Sequence, residues 1–451
     1  MTESQDNSTR TEHEDRGRLL KALGVWFGIS AAIGNTIAAG IVRTPGDIAT
    51  WLPNPFLFLG VWLLGGLYAF CGASSLAELA VAIPRSGGQY NFSRRAISEY
   101  AGFVVGWSDW LSSCGTLAAV SIVVGEYSEI LLPSLAGREK ELAVAVIVLF
   151  ALLQWRGIKW GSSIQVVTAV LKTIAFLVVA AACFYVGHHA GAPGFSSGSL
   201  ELKPGWVLLS AMMLGMQAVF YTIDGWHGVI YFSEELKDPA RDVPRSIFSS
   251  VFAIVLIYVL LNAAVLYVMP MDEIAGNKFV LGTAAEHVFG RHGDHIVRGI
   301  MIVSLLSCIN AVQLFCSRIL YAMSTDGLFF QAASRVNRGG TPEVALMLST
   351  LVGIVFVMGS FERVIAMLSF FFVANYSLSY LSLFLLRRRE PDLARPYRAW
   401  GYPWTTGVAL AISLLFLGGS LFTDHENAPL ALLMLVLSYP VYRLARWCRM
   451  R

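Results

Sequence analysis

The chain has 451 residues, 56% of them hydrophobic and only 14% charged, with a mean hydropathy of +0.61 and a formal net charge of +3. Soluble domains carry roughly 25% charged residues, so this balance excludes the two or three water-soluble domains that length alone would suggest. A net charge of +3 identifies no partner by itself, because in such a chain the distribution of Lys and Arg matters more than their sum.

Residues 1–20 are polar and mixed in charge, which predicts a disordered cytoplasmic tail. No signal peptide is expected, since the first apolar run is long enough to remain as a span. Beyond it, Leu142–Leu153, Val166–Val186, Val251–Val268 and Val408–Phe422 are almost purely apolar. With their flanks these runs approach the roughly 20 residues that cross about 30 Å of hydrocarbon as a helix. The chain therefore reads as an all-α integral membrane protein. About twelve spans are predicted, at 21–44, 56–83, 99–132, 141–156, 161–187, 206–233, 247–269, 297–325, 344–360, 363–387, 404–422 and 427–445, the fourth of them short. With both termini in the cytoplasm, about 23 of the 33 Lys and Arg fall in cytoplasmic segments and about 8 outside, as the positive-inside rule requires.

Two spans look interrupted. Ser30–Pro45 in the first carries Gly34, Asn35, Thr36 and Gly40 at mid-membrane depth, and Phe220–His227 in the sixth carries Asp224 beside Gly225. Broken helices inside a bilayer are tolerated where the freed backbone groups line a cavity. The two breaks lie five spans apart, the spacing of a five-plus-five inverted repeat whose discontinuous helices 1 and 6 hold a substrate between them. Free N–H groups and the positive end of a helix dipole suit a carboxylate, and unwound carbonyls suit an ammonium, so a zwitterion fits such a site. Close packing of helices is the competing explanation for the glycines. For Asp224 it is a capping or water-facing role, although an intramembrane carboxylate points first to function.

Lys172 lies deep in the fifth span, too far from either surface to snorkel, where an ammonium replaces a sodium ion or titrates. Arg318 in the eighth span sits near a helix end and reads as structural. Five of the six cysteines, Cys71, Cys114, Cys183, Cys308 and Cys316, fall in predicted helices as small apolar residues, and Cys448 lies beyond them. His188–His189 and His292/His295 fall in predicted extracellular loops, and neither metal nor cofactor is expected.

Several motifs are similar to those of the amino acid–polyamine–organocation superfamily, in its L-type amino acid transporter branch. The similarity runs from about Leu23 to Trp404. It is carried by Gly34–Pro45, Leu76–Tyr90, Gly157–Gly161 with Gln165 and Lys172, Asp224–Trp226 with Glu234–Pro239 and Pro244–Ile247, Ser317–Gly327 and Leu386–Pro403. The resemblance implies a twelve-helix transporter with its core at 21–390, and helices 11–12 and a short cytoplasmic C terminus at 391–451. It implies a substrate site at Asn35, Thr36, Ile37, Ala38, Ala39, Gly40, Tyr221, Thr222, Asp224, Gly225 and Trp226. The N–H groups of Ala38, Ala39 and Gly40 would hold a carboxylate, and carbonyls near Thr36, Tyr221 and Asp224 an ammonium. Tyr221 aligns with an aromatic gate, and Lys172 with a lysine that replaces a sodium site. Ala38-Ala39 stands where Gly-Ser is usual and Val42 where Phe is usual, and Phe370–Phe372 adds bulk, which puts the preferred side chain in doubt. Pro133–Glu141 has no cysteine to link a heavy-chain subunit.

The expected function is sodium-independent transport of neutral L-amino acids across the cell membrane (the inner membrane of a bacterial-type permease), by exchange or facilitation. Proton-coupled symport is the alternative, with Lys172 or Asp224 as carrier, as is transport of cationic amino acids or amines. A membrane enzyme is disfavoured by the lack of HExxH, GxSxG or an intramembrane His pair. A non-transporting receptor is disfavoured by the short tails, and no nucleic-acid partner is expected.

Overall fold

The structure is a computed structural model and describes residues 19–191, 194–196, 205–359, 361–423 and 428–449. The predicted first span is two helices, α1 (Val25–Thr36) and α2 (Gly40–Trp51), bent by 50° across residues 37–39. It therefore begins and ends later than the predicted 21–44. Pro45 removes one N–H without ending α2, a defect that membrane helices accommodate. Of the predicted tail, residues 1–18 lie outside the described residues, whereas Leu19 is buried.

Next come α3 (Pro55–Ala82), the short α4 (Gln89–Ala96), α5 (Glu99–Leu131), α6 (Glu139–Trp155) and α7 (Ile158–Ala190). Their starts are set by local chemistry. Pro55 opens α3, and Asn54 Oδ1 accepts from the N–H groups of Phe56 and Leu57 at 3.0 and 3.1 Å; Ser98 caps α5 through the Ala101 N–H at 3.1 Å. Such caps satisfy N–H groups that no helical carbonyl can reach. The sixth span is α8 (Trp206–Ile223), an interruption at residues 224–227, and a 3-10 turn at Gly228–Phe232.

The second half runs α9 (Pro239–Val268), the short α10 (Met271–Ile274) and α11 (Val280–Phe289), then α12 (Gly293–Thr325), α13 (Glu343–Val357), α14 (Phe361–Arg389), α15 (Trp404–Thr423) and α16 (Ala428–Arg449). A helix occupies each of the twelve predicted segments. Among the described residues, seven helical segments are long and apolar enough to cross a membrane, eight with the bent pair counted as one, and α13 and Trp404–Gly419 are shorter apolar helices. The described residues form no β-strand, only the isolated bridges Leu23–Leu236 and Val336–Pro342.

The outer surface is that of a protein in lipid. Along α7, Val167, Val170, Leu171, Ile174 and Val178 are exposed, and Trp26, Trp160, Trp206 and Trp404 stand exposed at helix starts, where amphipathic rings meet the membrane–water boundary. The interior joins a large apolar core to a set of buried polar side chains. α5 and α12 pack along each other at the centre, and α12 turns Ser304, Ser307, Asn310, Gln313, Ser317 and Arg318 inward. Gln165 Nε2 donates to the Ser30 carbonyl at 3.0 Å, and Asn310 Nδ2 donates to Gln165 Oε1 at 2.8 Å. Interhelical hydrogen bonds of this kind bind helices together where lipid supplies no hydrophobic drive.

Candidate functional site

At the first break, α1 ends and leaves its last carbonyls without helical donors. Neighbouring helices supply them. Lys172 Nζ, fully buried on α7, donates to the Gly34 carbonyl at 2.9 Å and the Ile37 carbonyl at 2.8 Å. Ser304 of α12 donates to the same Ile37 carbonyl at 2.6 Å, and Cys308 Sγ to the Asn35 carbonyl at 3.3 Å. A cation on the carbonyl end of a helix is also favoured by the helix dipole. This geometry excludes a lysine reaching the headgroups. Gly34 has a packing role, since a Cβ there would lie 1.7 Å from Gln165 Nε2.

At the second break, Gly225 has φ +107°, a region that side chains other than glycine's resist. A Cβ there would meet Asn35 Nδ2 at 2.4 Å, so the two breaks touch. Tyr258 of α9 ties them together. Its hydroxyl donates in a three-centre bond to the Thr36 carbonyl at 2.9 Å and the Thr222 carbonyl at 3.2 Å. Thr44 and Thr222 hydroxyls add a direct link of 2.7 Å between α2 and α8.

Between the breaks lies a cavity of about 510 Å³. Asn35, Thr36, Ala38, Ala39, Gly40, Tyr221, Thr222 and Asp224 line it, and α2 begins at its wall, where first-turn N–H groups have no helical acceptor. Ile37, Gly225 and Trp226 are not on its surface. Ile37 turns its carbonyl to Lys172, and Trp226 stacks behind on Tyr376 with ring centroids 5.6 Å apart. Lys172 likewise stands behind the wall. Phe372, from the aromatic run of the tenth span, does reach the cavity.

Sequence reasoning passed over Asp109 and Tyr231, which also line the cavity, and gave His227 no role. These residues are joined. Tyr376 donates to Asp224 Oδ1 at 2.5 Å and lies 2.6 Å from His227 Nδ1. His227 Nε2 is 3.2 Å from the Tyr231 hydroxyl, which is 3.0 Å from both Asp109 carboxylate oxygens. All five side chains are buried or nearly so. Among the described residues, no group of three or more His, Cys, Asp or Glu is placed to hold a metal.

The cavity extends along α2 to the exposed Asp47 and to Trp51. Its other end is sealed. Phe27 packs on Phe232 at 4.9 Å and Tyr231 on Phe315 at 4.8 Å, and Leu23 pairs backbone to backbone with the segment at Glu235–Lys237. Beneath them Arg318 makes two bonds to Glu235, 3.0 and 3.1 Å, with both side chains fully buried.

A family model described as amino acid permease matches residues 23–439. The serine/threonine exchanger SteT of Bacillus subtilis is 25% identical over 435 residues, which cover 95% of this chain and 97% of that protein. The branched-chain amino acid permease BcaP of the same organism is 26% identical, over 88% of each chain. The mouse Asc-type amino acid transporter 1 is 26% identical over 85% of this chain and 74% of its own.

Proposed function

The chain belongs to the amino acid permease family and is a multi-pass membrane transporter of amino acids rather than an enzyme, and on that premise we propose that it carries L-amino acids, neutral ones foremost, without sodium and by alternating access. In this reading the chain crosses the membrane twelve times with both termini in the cytoplasm, and its first ten helices form a five-plus-five inverted repeat. The substrate carboxylate meets the N–H groups of Ala38, Ala39 and Gly40, and its ammonium meets Asp224 and the carbonyls around Thr36 and Tyr221. Tyr221 closes over the bound molecule. No heavy-chain subunit is required, as Pro133–Glu141 offers no cysteine to join one.

The observation that carries the reading is the buried ammonium of Lys172 on the Gly34 and Ile37 carbonyls. Unwound carbonyls at a broken helix are where such carriers coordinate a coupling cation. Here a fixed side chain occupies that position. The cavity suits a small zwitterion, with helix-start N–H groups on one wall and a carboxylate on the other. Transport proceeds by exchange or facilitation. A second reading, proton-coupled uptake or carriage of cationic amino acids or amines, is favoured by Asp109 and Asp224 in one cavity.

Counterflow tests the substrate class. Purified protein in liposomes loaded with unlabelled serine, leucine or lysine should accumulate the radiolabelled counterpart of the neutral amino acids. Accumulation of lysine alone would transfer the assignment to cationic substrates, and failure with every amino acid would overturn the reading.

A further inference from the structure

The links among Asp224, Tyr376, His227, Tyr231 and Asp109 form a chain of four hydrogen bonds between two carboxylates. Each link needs one hydrogen. With both carboxylates ionised and the imidazole neutral, the two tyrosines and His227 supply three. One link is then left without a proton. A single added proton completes all four. With that proton on Asp109, its O–H donates to Tyr231, Tyr231 donates to His227 Nε2, His227 Nδ1–H donates to Tyr376, and Tyr376 donates to Asp224, which stays ionised.

We propose that Asp109, Tyr231, His227, Tyr376 and Asp224 form a proton-binding relay, and that docking of an amino acid in the cavity takes up one proton from solvent onto it. The relay rests on the amino acid reading above and follows from the charge balance of the closed site. Asp109 and Asp224 both stand on the cavity wall, and a polar cavity of this size holds water before an amino acid docks. When an amino acid fills the cavity and displaces that water, its ammonium compensates Asp224, whereas Asp109 remains an uncompensated buried charge, which is costly. A proton on the Asp109 side removes that charge and satisfies the hydrogen-bond chain in one step, with no bond broken elsewhere.

The surrounding groups leave this balance intact. Tyr68 on α3 and Tyr221 on α8 lie by Asp224, and Tyr380 stacks on Tyr376. Cys316 on α12 and Cys114 on α5 lie 3.9 Å apart, and Cys308 lines the cavity. Of the cations, Lys172 is held by the α1 carbonyls, and Arg43 on the cavity wall reaches Glu126 at 3.2 Å. Asp47, toward the mouth, adds negative charge.

The test is calorimetric titration of an amino acid into the purified full-length protein, in buffers of different ionisation enthalpy. The apparent enthalpy should track the buffer with a slope of about one proton taken up per amino acid bound, and affinity should weaken toward tenfold per pH unit as pH rises past the relay's titration. Asp109→Asn, checked for a monodisperse elution profile, should bring the slope near zero. Tyr231→Phe, which cuts the chain and keeps both carboxylates, provides an independent variant and should also reduce it. Amino acid binding with no proton uptake by the unmodified protein would overturn the relay and leave the carrier assignment standing. No binding of any amino acid would instead strike at the carrier assignment itself.

Discussion

Lys172 is fully buried, and its ammonium ends on two carbonyls that the break in the first span exposes. Lys172→Ala takes the side-chain donor from the Gly34 carbonyl, a cost of about 1–3 kcal/mol, and leaves the Ile37 carbonyl with Ser304 alone. Transport should fall at least about tenfold while the protein still inserts and elutes as one species; normal uptake by this variant would remove the proposed role. Tyr221→Ala should weaken apparent affinity about tenfold, the worth of one good aromatic contact, and an unchanged half-saturation concentration would argue against a gate. Lys172 and Asp224 were legible in the sequence because a charge in an apolar span stands out. Asp109 carries the same signal, an aspartate inside an apolar span, but it lies in an uninterrupted helix with no break to mark a site. Tyr258 and Tyr376 gave no local signal. Their roles come from hydrogen bonds to residues on other helices, which no spacing within their own helix reveals. Ile37, Gly225 and Trp226 adjoin cavity residues in sequence without lining the cavity themselves.

At the scale of elements, both discontinuities stood where small and polar residues interrupted an apolar run. The boundaries were less legible. The first span is predicted to end at residue 44, yet α2 continues through Pro45 to Trp51, because losing one N–H does not end a helix that tertiary contacts hold. The short helices α4 and α11 fall between the predicted spans, for eight to ten residues cannot cross a bilayer and a search for spans passes over them. α4 carries Arg94, whose Nη1 reaches Asp326 at 2.6 Å, so it fastens the α3–α5 connection to the end of α12. The break at Gly225 depends on its backbone. Gly225→Ala combines an unfavourable positive φ, costing about 1–2 kcal/mol, with a clash against Asn35. We expect a lower melting temperature together with a fall in transport. A variant as stable and as active as the unmodified protein would mean that the break tolerates a side chain.

For the whole molecule, the cavity extends along α2 to the exposed Asp47, and aromatic packing closes its opposite end over the buried Arg318–Glu235 pair. Under the proposed alternating access that sealed end opens, which would make the pair a latch as well as a brace. Glu235→Ala leaves a buried guanidinium without its partner, a loss of about 3–5 kcal/mol. The variant should melt at a lower temperature, and a cysteine introduced at Leu236 should react faster with a polar thiol reagent; unaltered melting and labelling would deny the pair that role. The central claim is that an amino acid binds between the two broken helices and that Lys172 takes the place of a coupling sodium. Its most direct test is initial uptake of a radiolabelled neutral amino acid into proteoliposomes with sodium replaced by choline on both sides. Saturable uptake that stays within about twofold of the sodium value is expected, a difference of less than half a kcal/mol. Uptake that disappears without sodium and returns with a sodium gradient would contradict it.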